Sequence, residues 1–492
     1  MPAQAQRETF RASYQQALTN SNLRQTLSKA TAQFVAAQKN AASDLGQEEW
    51  ERLRHNARQI KDHTLARLDY YLEQFSTSVE RLGGHVHWAA SAAEANRCIA
   101  GIAAARHVRL VVKSKSMATE EIELNRALAD AGIEAVETDL GEYIIQLAGE
   151  RPSHVIAPAI HKSRRDVASL FSEKLKVDCP EQIGGITALA RRVLRERFAT
   201  AGIGITGVNF AVAETGTLVL VENEGNIRMT TSLPPVHVAV MGIEKLVPRL
   251  VDLEPFLRLL PRSASGQKAS SYVSFLTGVK SAGRQEGPEE LHVVILDNGR
   301  TKMLAHPHLR EALNCIRCGA CLNVCPVYQT IGGHAYGSVY TGPIGAVLTL
   351  PMAGGERAAE LPFASTLCGA CRDACPVKLD IPKMLVQLRR EVVEPARTKI
   401  QPYARERLRK RMALLVQHVI FMIWAWTMSA PHRYRRAARV VRFGQRWRRM
   451  SALPSFSRRS FREQWSCGSV PPAVAGGSTI GITCSRGMSS ER

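Results

Sequence analysis

The chain begins without an apolar run: Met1 to Asn40 is polar and helix-prone, which argues against a secretory leader. Long apolar stretches are scarce further on as well. Met412 to Met428 is about the minimum length for a membrane span, and Gln417 and His418 interrupt it. Trp424 and Trp426 lie near one end, with arginines on both sides. An interfacial or partner-docking helix, a buried core helix and a span all stay open. Acidic residues are fewer than basic ones, 44 against 65, and the formal charge is +21. The deficit is local. Between Lys399 and Arg462 there are 17 Lys/Arg and one acid, Glu406, a local charge of +16. Such a block fits an anionic partner such as membrane headgroups, or a solvated basic helix. No motif beyond charge supports nucleic-acid binding, and none is expected.

Cysteine is not scarce. Seven of the 11 cysteines fall in two runs, Cys315-x2-Cys318-x2-Cys321-x3-Cys325-Pro326 and Cys368-x2-Cys371-x3-Cys375-Pro376. The first matches the bacterial ferredoxin run, which holds a [4Fe–4S] cluster. Two intervening residues let one tight loop place three thiolates on three corners of a cube. Gly319 and Gly369 are expected to let the backbone pass close by. In two-cluster ferredoxins the fourth cysteine of each run ligates the other cluster. That rule assigns Cys315, Cys318, Cys321 and Cys375 to a first, [4Fe–4S] cluster, and Cys325, Cys368 and Cys371 to a second. The second set lacks one thiolate. Three residues before Cys368 stands Ser365, where a full run has its first cysteine. The second cluster is therefore [3Fe–4S], or [4Fe–4S] with a non-cysteine or open fourth site. Ser365 can offer an oxygen, although an ordinary loop serine is the plainer role. Zinc is the competing metal, but its cysteines come in well-separated pairs. Ligand thiolates fit a reducing cytoplasm, not a disulfide framework. Cys98, Cys179, Cys467 and Cys484 look incidental.

The rest of the chain reads as an α/β protein with helical flanks. Leu53, Ile60, Leu65, Leu68 and Leu72 recur at helical spacing, so residues 1–80 form a helical arm packed on the domain after it. From Gly84 strands and helices alternate. Strands are expected at 85–88, 108–112, 155–157, 208–213, 218–221, 236–240 and 292–296. Ser91 with Glu94 predicts a capping box, and Ser116 or Thr119 caps a helix ending near Gly132. Asn223 to Asn226 reads as a hairpin turn. This pattern argues for a largely parallel sheet over 81–300, with a local hairpin. A cluster domain comes next, over 301–395, in which Pro382 opens a helix to Val393. A basic helical region spans 396–465, and a Ser/Gly-rich disordered tail spans 466–492.

Several segments carry a resemblance. Lys113 to Asn125, Thr138 to Ile145, Ala157 to Lys162, Asn209 to Thr217, Asn223 to Asn226 and Leu233 to His237 resemble the lactate-utilisation (LUD) domain. Joined to the two cysteine runs, the chain resembles the iron–sulfur B-component family of the bacterial L-lactate utilisation system over about residues 45–465. Nothing after Trp465 resembles it. The resemblance implies a cytoplasmic electron-transfer subunit, not catalytic alone, that works with two partners to oxidise L-lactate to pyruvate. Those partners are a cysteine-rich-domain protein and a LUD-only protein. Peripheral membrane contact through the basic region is a further expectation. The LUD domain is similar to the fold of sugar-phosphate isomerases and CoA transferases, and the cluster domain to a small α-helical ferredoxin-like fold.

Individual residues add detail. Lys113, Lys115 and Ser116 follow a predicted strand and open a helix, where α/β sheets commonly bind anions. A capped loop with exposed lysines is the bland alternative. Glu214, in a turn entering a strand, is a candidate pocket carboxylate or a hydrogen-bonded turn residue. Asn209 and His161 are lesser candidates. Arg317 and Arg372, inside the ligand loops, should favour the reduced, more negative cluster and raise its potential. His334 and Tyr336 can shield a cluster or play ordinary loop roles. No flavin fingerprint is read, so hydride removal is expected in a partner. A LUD-domain sensor or enzyme with regulatory clusters is the rival reading. It needs a complete catalytic constellation, and only single candidates are present.

Overall fold

A computed structural model describes residues 9–394, except 282 and 284–286, together with Met422. The basic region 396–465 (Met422 apart), the apolar stretch 412–428 and the tail 466–492 lie outside the described residues. Among the described residues ten strands occur, in chain order β1 His85–Ala89, β2 Leu110–Lys113, β3 Glu134–Glu137, β4 Ile203–Gly207, β5 Phe210–Val212, β6 Thr217–Glu222, β7 Val236–Gly242, β8 Leu246–Val247, β9 Tyr272–Leu276 and β10 Glu290–Leu296. Six form one sheet in the order β1-β10-β7-β4-β2-β3, with every pairing parallel. The other four form a smaller sheet, β8-β5-β6-β9.

Both faces of the large sheet are buried, as a parallel sheet requires. Along β7, Val236, Val238 and Val240 pack into one core with Ile99, Ile102, Leu124 and Leu128. Ala239 and Met241 alternate to the opposite face, into the core that continues down to the cysteine loops. A third core joins Val112 and Val136 to the helices Leu140–Ala148, Arg164–Leu175 and Ile183–Thr200.

Some local expectations need correction. Val155–Ala157 is not a strand. The Nδ1 of buried His154 accepts the amides of Ile156 and Ala157 at 3.0 and 3.1 Å, so these donors go to a side chain instead of a ladder. Asn223 to Asn226 is not a hairpin turn. The Glu222 carboxylate accepts the amides of Ile227 and Arg228 at 2.7 and 2.9 Å and starts the helix Asn226–Ser232. The hairpin lies one element earlier, where β5 pairs antiparallel with β6. The helix expected to reach Gly132 breaks at Glu123, whose φ is +52°. Ser91 caps the Glu94 amide at 3.4 Å, but the Glu94 carboxylate returns to the amide of Ala90, not to that of Ser91.

After β10 the described residues contain only helices and loops, from Arg300–Ala305 to Ile381–Val393. Asp380 caps that last helix through the Lys383 amide at 3.2 Å, with Pro382 in its first turn. The arm packs against this region. Within the helix Gln47–Ala66, Arg54 donates to the carbonyls of Cys375 and Asp373 at 2.8 and 3.0 Å, and Arg58 to that of Lys378 at 3.0 Å. Among the described residues, no helix is long and apolar enough to cross a membrane.

Buried histidines give the fold a pH dependence. His237 lies in β7, fully buried, with Nε2 2.8 Å from Thr206 Oγ1. Burial first, and His292 second, push it down to about 3. The unfolded chain therefore binds a proton at His237 below pH ~6.5 that the native state refuses, so stability falls as pH falls. Between pH 6.5 and 5 this histidine alone should remove on the order of 2 kcal/mol. Urea midpoints of wild type and His237→Gln across that window should diverge, with the variant losing less. Parallel curves would show that His237 does not set the slope.

Candidate metal centre

Cys315, Cys318, Cys321 and Cys375 line one cavity. Arg317 and Gly319 put the first loop into the left-handed region, with φ of +60° and +79°, and the one-turn helix Ala320–Asn323 follows. Gly319 therefore serves backbone conformation, as does Gly369 at +86° in the second loop. Amides aim at the sulfurs. Cys318 receives that of Ala320, Cys321 that of Ile344, and Cys375 those of Leu379 and Val377. The Arg317 amide donates to Cys315 Sγ at 3.4 Å. Burial, reinforced by the neighbouring thiols, pushes Cys318 and Cys321 far above the ordinary thiol range, and burial lifts Cys375 to about 11. Three buried thiols and the half-buried Cys315, already met by amide donors, suit a cube needing four thiolates.

Cys325, Cys368 and Cys371 gather separately. Cys371 is close enough to feel Cys325 and Cys368, and burial carries it up to about 12. Cys325 receives the amides of Tyr328 and Val327. Cys368 is exposed, and hydrogen bonds from the Thr366 hydroxyl and the Ala370 amide hold it below the usual range. The donor set here is three sulfurs. Tyr336 is fully buried near Cys325, and its hydroxyl has no hydrogen-bond partner among the described residues.

A buried ion network seats the first loop on the sheet. Arg300, with a side chain 2% exposed, holds Glu244 at 2.6 Å and Glu121 at 2.8 Å. Arg317 pairs with Glu244 at 3.4 Å and lies over the Tyr340 ring at 4.8 Å, while Tyr340 Oη donates to Glu121 at 2.6 Å. Lys61, on the arm, donates to the carbonyl of Glu244. Burial alone would raise the Glu244 carboxyl, but Arg300, Arg317 and Lys245 overcome it and hold it at about 2. Burial pulls Lys61 and Lys245 down to about 8 against the attraction of Glu244.

The expected anion pocket is only partly assembled. A cavity of about 280 Å³ lies at the carboxyl edge of the large sheet, lined by Ser114, Lys115, Ser116 and Asn209. It shares Val155, Ile316, Arg317 and Tyr340 with the cysteine cavity. Lys113 does not line it. Its Nζ is fully buried, 2.9 Å from Glu120 and 2.7 Å from Glu137, and those carboxylates outweigh burial and raise it. Glu214 does not line that cavity either; it lines a separate one with Tyr71, Gln74 and Arg249. It is exposed in the β5–β6 turn, where its Oε2 accepts the Leu250 amide at 3.3 Å. Asn209 Oδ1 accepts the Val221 amide at 2.9 Å, and Ser116 caps Thr119 at 3.3 Å. His161 and His334 meet each other, with rings 4.5 Å apart, and His161 pairs with Glu150 at 2.7 Å. Arg372 is exposed and paired with Asp373.

Sequence reasoning missed Glu244, Lys245, Arg300, Tyr340 and Lys61, which stand far apart in the chain and carry no local pattern. It also passed over Gly202-Ile-Gly-Ile-Thr-Gly207, which has dinucleotide-fingerprint spacing. That segment runs through β4 into β5 and not through a strand-to-helix turn, so the glycines form no phosphate loop.

Comparisons with known proteins show the same division. A LUD domain model matches residues 72–296, and a 4Fe-4S dicluster domain model matches 311–379. The chain thus carries an iron–sulfur cluster domain. Lactate utilization protein B of Shouchella clausii is 49% identical over 377 residues, covering 76% of this chain and 79% of that protein. Its namesake in Oceanobacillus iheyensis is 42% identical over 469 residues, covering 91% and 94%. The uncharacterized electron transport protein YkgF of Escherichia coli is 46% identical over 385 residues, covering 78% and 80%. Among solved structures, a DUF162 family protein of Deinococcus radiodurans aligns at 15% identity and a TM-score of 0.27, over 46% of this chain and 98% of that one, too weak a likeness to argue from. At 42–49% identity over most of each curated relative, the chain belongs to the lactate utilization protein B family.

Proposed function

We propose that this chain is the iron–sulfur electron-transfer subunit of a system that oxidises L-lactate to pyruvate, and that it does not turn over alone. Cys315, Cys318, Cys321 and Cys375 hold a [4Fe–4S] cluster. Cys325, Cys368 and Cys371 hold a second cluster, [4Fe–4S] or [3Fe–4S]. The observation that carries this reading is the exchange between loops, since Cys375 from the second run joins the first cavity. When bound, such clusters each take up and return one electron. Oxidation of lactate releases two electrons and two protons, so two adjacent one-electron centres match its stoichiometry. The relatives' names support the lactate assignment. Residues 301–395 supply the ligands, 81–300 the platform beneath them, and 1–80 the arm that holds the Cys375 loop. The partners are the cysteine-rich-domain and LUD-only proteins of the system, and one of them removes the hydride.

The direct test mixes anaerobic protein with those partners and L-lactate. The broad visible absorbance of the clusters should bleach. Unchanged absorbance, with partners shown to be active, would count against the proposal.

The chain's own charges set where the electron rests. Lys245, Lys61 and Arg317 surround Cys315, and positive charge there favours the more negative, reduced state. Lys245→Met should lower one midpoint potential by roughly 40 mV, the one-electron equivalent of about 1 kcal/mol of lost attraction. Arg372→Met, at an exposed guanidinium already paired with Asp373, should shift it far less. Equal shifts in a redox titration would remove burial as the reason.

A further inference from the structure

The two cysteine loops share a backbone, which fixes their register independently of counting residues. Among the described residues only seven other than glycine have positive φ, and two of them occupy matching places. Arg317 at +60° precedes Cys318, and Leu367 at +56° precedes Cys368. Gly319 at +79° and Gly369 at +86° follow those cysteines. The one-turn helices Ala320–Asn323 and Ala370–Asp373 come next, and each loop then reaches a Cys-Pro pair. In this register Cys368 matches Cys318, Cys371 matches Cys321, and Cys375 matches Cys325. Ser365 matches Cys315.

The match extends to hydrogen bonding. The Arg317 amide donates to Cys315 Sγ at 3.4 Å, and the Leu367 amide donates to Ser365 Oγ at 3.1 Å. The same donor therefore meets the same side-chain atom in both loops. A serine hydroxyl often takes the amide two residues on. Here, however, the bond reproduces one made by a sulfur that lines the first cavity. Ser365 is also held in place. Arg389, from the helix Ile381–Val393, donates to the carbonyls of Ser365 and Pro362, both at 2.8 Å.

We propose that Ser365 is the fourth ligand of the second iron–sulfur site, binding iron through its deprotonated Oγ. The inference rests on the reading that Cys325, Cys368 and Cys371 hold that site. Coordination replaces the O–H bond with an Fe–O bond and releases the proton to solvent, and no electron changes hands. The Leu367 amide, already aimed at Oγ, stabilises the alkoxide. An oxygen donor is harder than sulfur and favours the oxidised state, so this site has a lower potential than an all-cysteine one.

The test compares anaerobically prepared wild type, Ser365→Ala, Ser365→Cys and Tyr336→Phe by iron and sulfide content, EPR and redox titration. Wild type should contain two four-iron clusters. Ser365→Ala should lose about one iron per chain and gain the oxidised-state signal of a three-iron cluster, with the first centre unchanged. Ser365→Cys should keep its iron and move one midpoint upward. Tyr336→Phe should keep the wild-type iron content, because the nearby phenol is then no ligand. An unaltered Ser365→Ala protein would overturn the proposal, and so would loss of that iron in Tyr336→Phe. Absence of the second centre from wild type itself would instead overturn the three-cysteine reading beneath it.

Discussion

Cys318→Ala/Cys321→Ala should lose about half of the protein's iron and sulfide and one of its two redox centres. Both side chains are buried, and only Cys315 and Cys375 would remain in that cavity, too few thiolates to keep a cube. Folding should suffer too, because bound metal contributes directly to the stability of a domain whose ligands come from separate segments. Residues 315–321 and residue 375 would lose their link through the cluster, leaving contacts such as those of Arg54 and Arg58 to hold the second segment. Cys325→Ala, four residues beyond Cys321, should act on the other centre and spare this one. Retention of full iron by the double variant, or damage to the same centre by both proteins, would contradict the grouping.

Arg300→Met should destabilise the protein by about 3–5 kcal/mol, the usual penalty for leaving a buried ion network without one partner. Glu244 and Glu121 have side chains 1% and 7% exposed, and both are held by Arg300. Removing the guanidinium leaves Glu244 with Arg317 and the nearby lysines, and leaves Glu121 with the Tyr340 hydroxyl and the Asn298 side-chain amide. Adding Glu244→Gln should recover part of the loss, because the substitution removes one of the stranded charges. Anaerobic urea unfolding of the two variants and wild type measures this. A loss below about 1 kcal/mol would mean that water already solvates these carboxylates.

The cysteine constellation was legible because its chemistry is local. Spacing, glycine and proline all stand within one loop, and only Cys325 and Cys375 cross to the other. The parallel sheet was legible from strands such as 236–240 and 292–296, whose apolar runs reflect burial on both faces. β4 was missed because Ile203–Gly207 carries two glycines and ends beside a second strand, which blurs the pattern. β3 was missed because both of its ends are acidic. Lys113 and Glu214 were misplaced for a different reason. A lysine after a strand looks exposed, and only the fold reveals Glu120 and Glu137 beneath it. Glu214 sits in a turn that the hairpin carries away from the sheet's carboxyl edge. The ion network on Arg300 had no sequence signal at all, since its members span residues 61 to 340.

Two metal centres built by two exchanged loops, and able to carry electrons, are what everything else requires. The most direct measurement is metal and acid-labile sulfide analysis of anaerobically purified protein, followed by EPR during stepwise reduction. Two iron–sulfur centres that accept one electron each are expected, with signals broadened by their mutual proximity. Stoichiometric zinc, or iron that stays redox-silent through the titration, would contradict electron transfer by this chain.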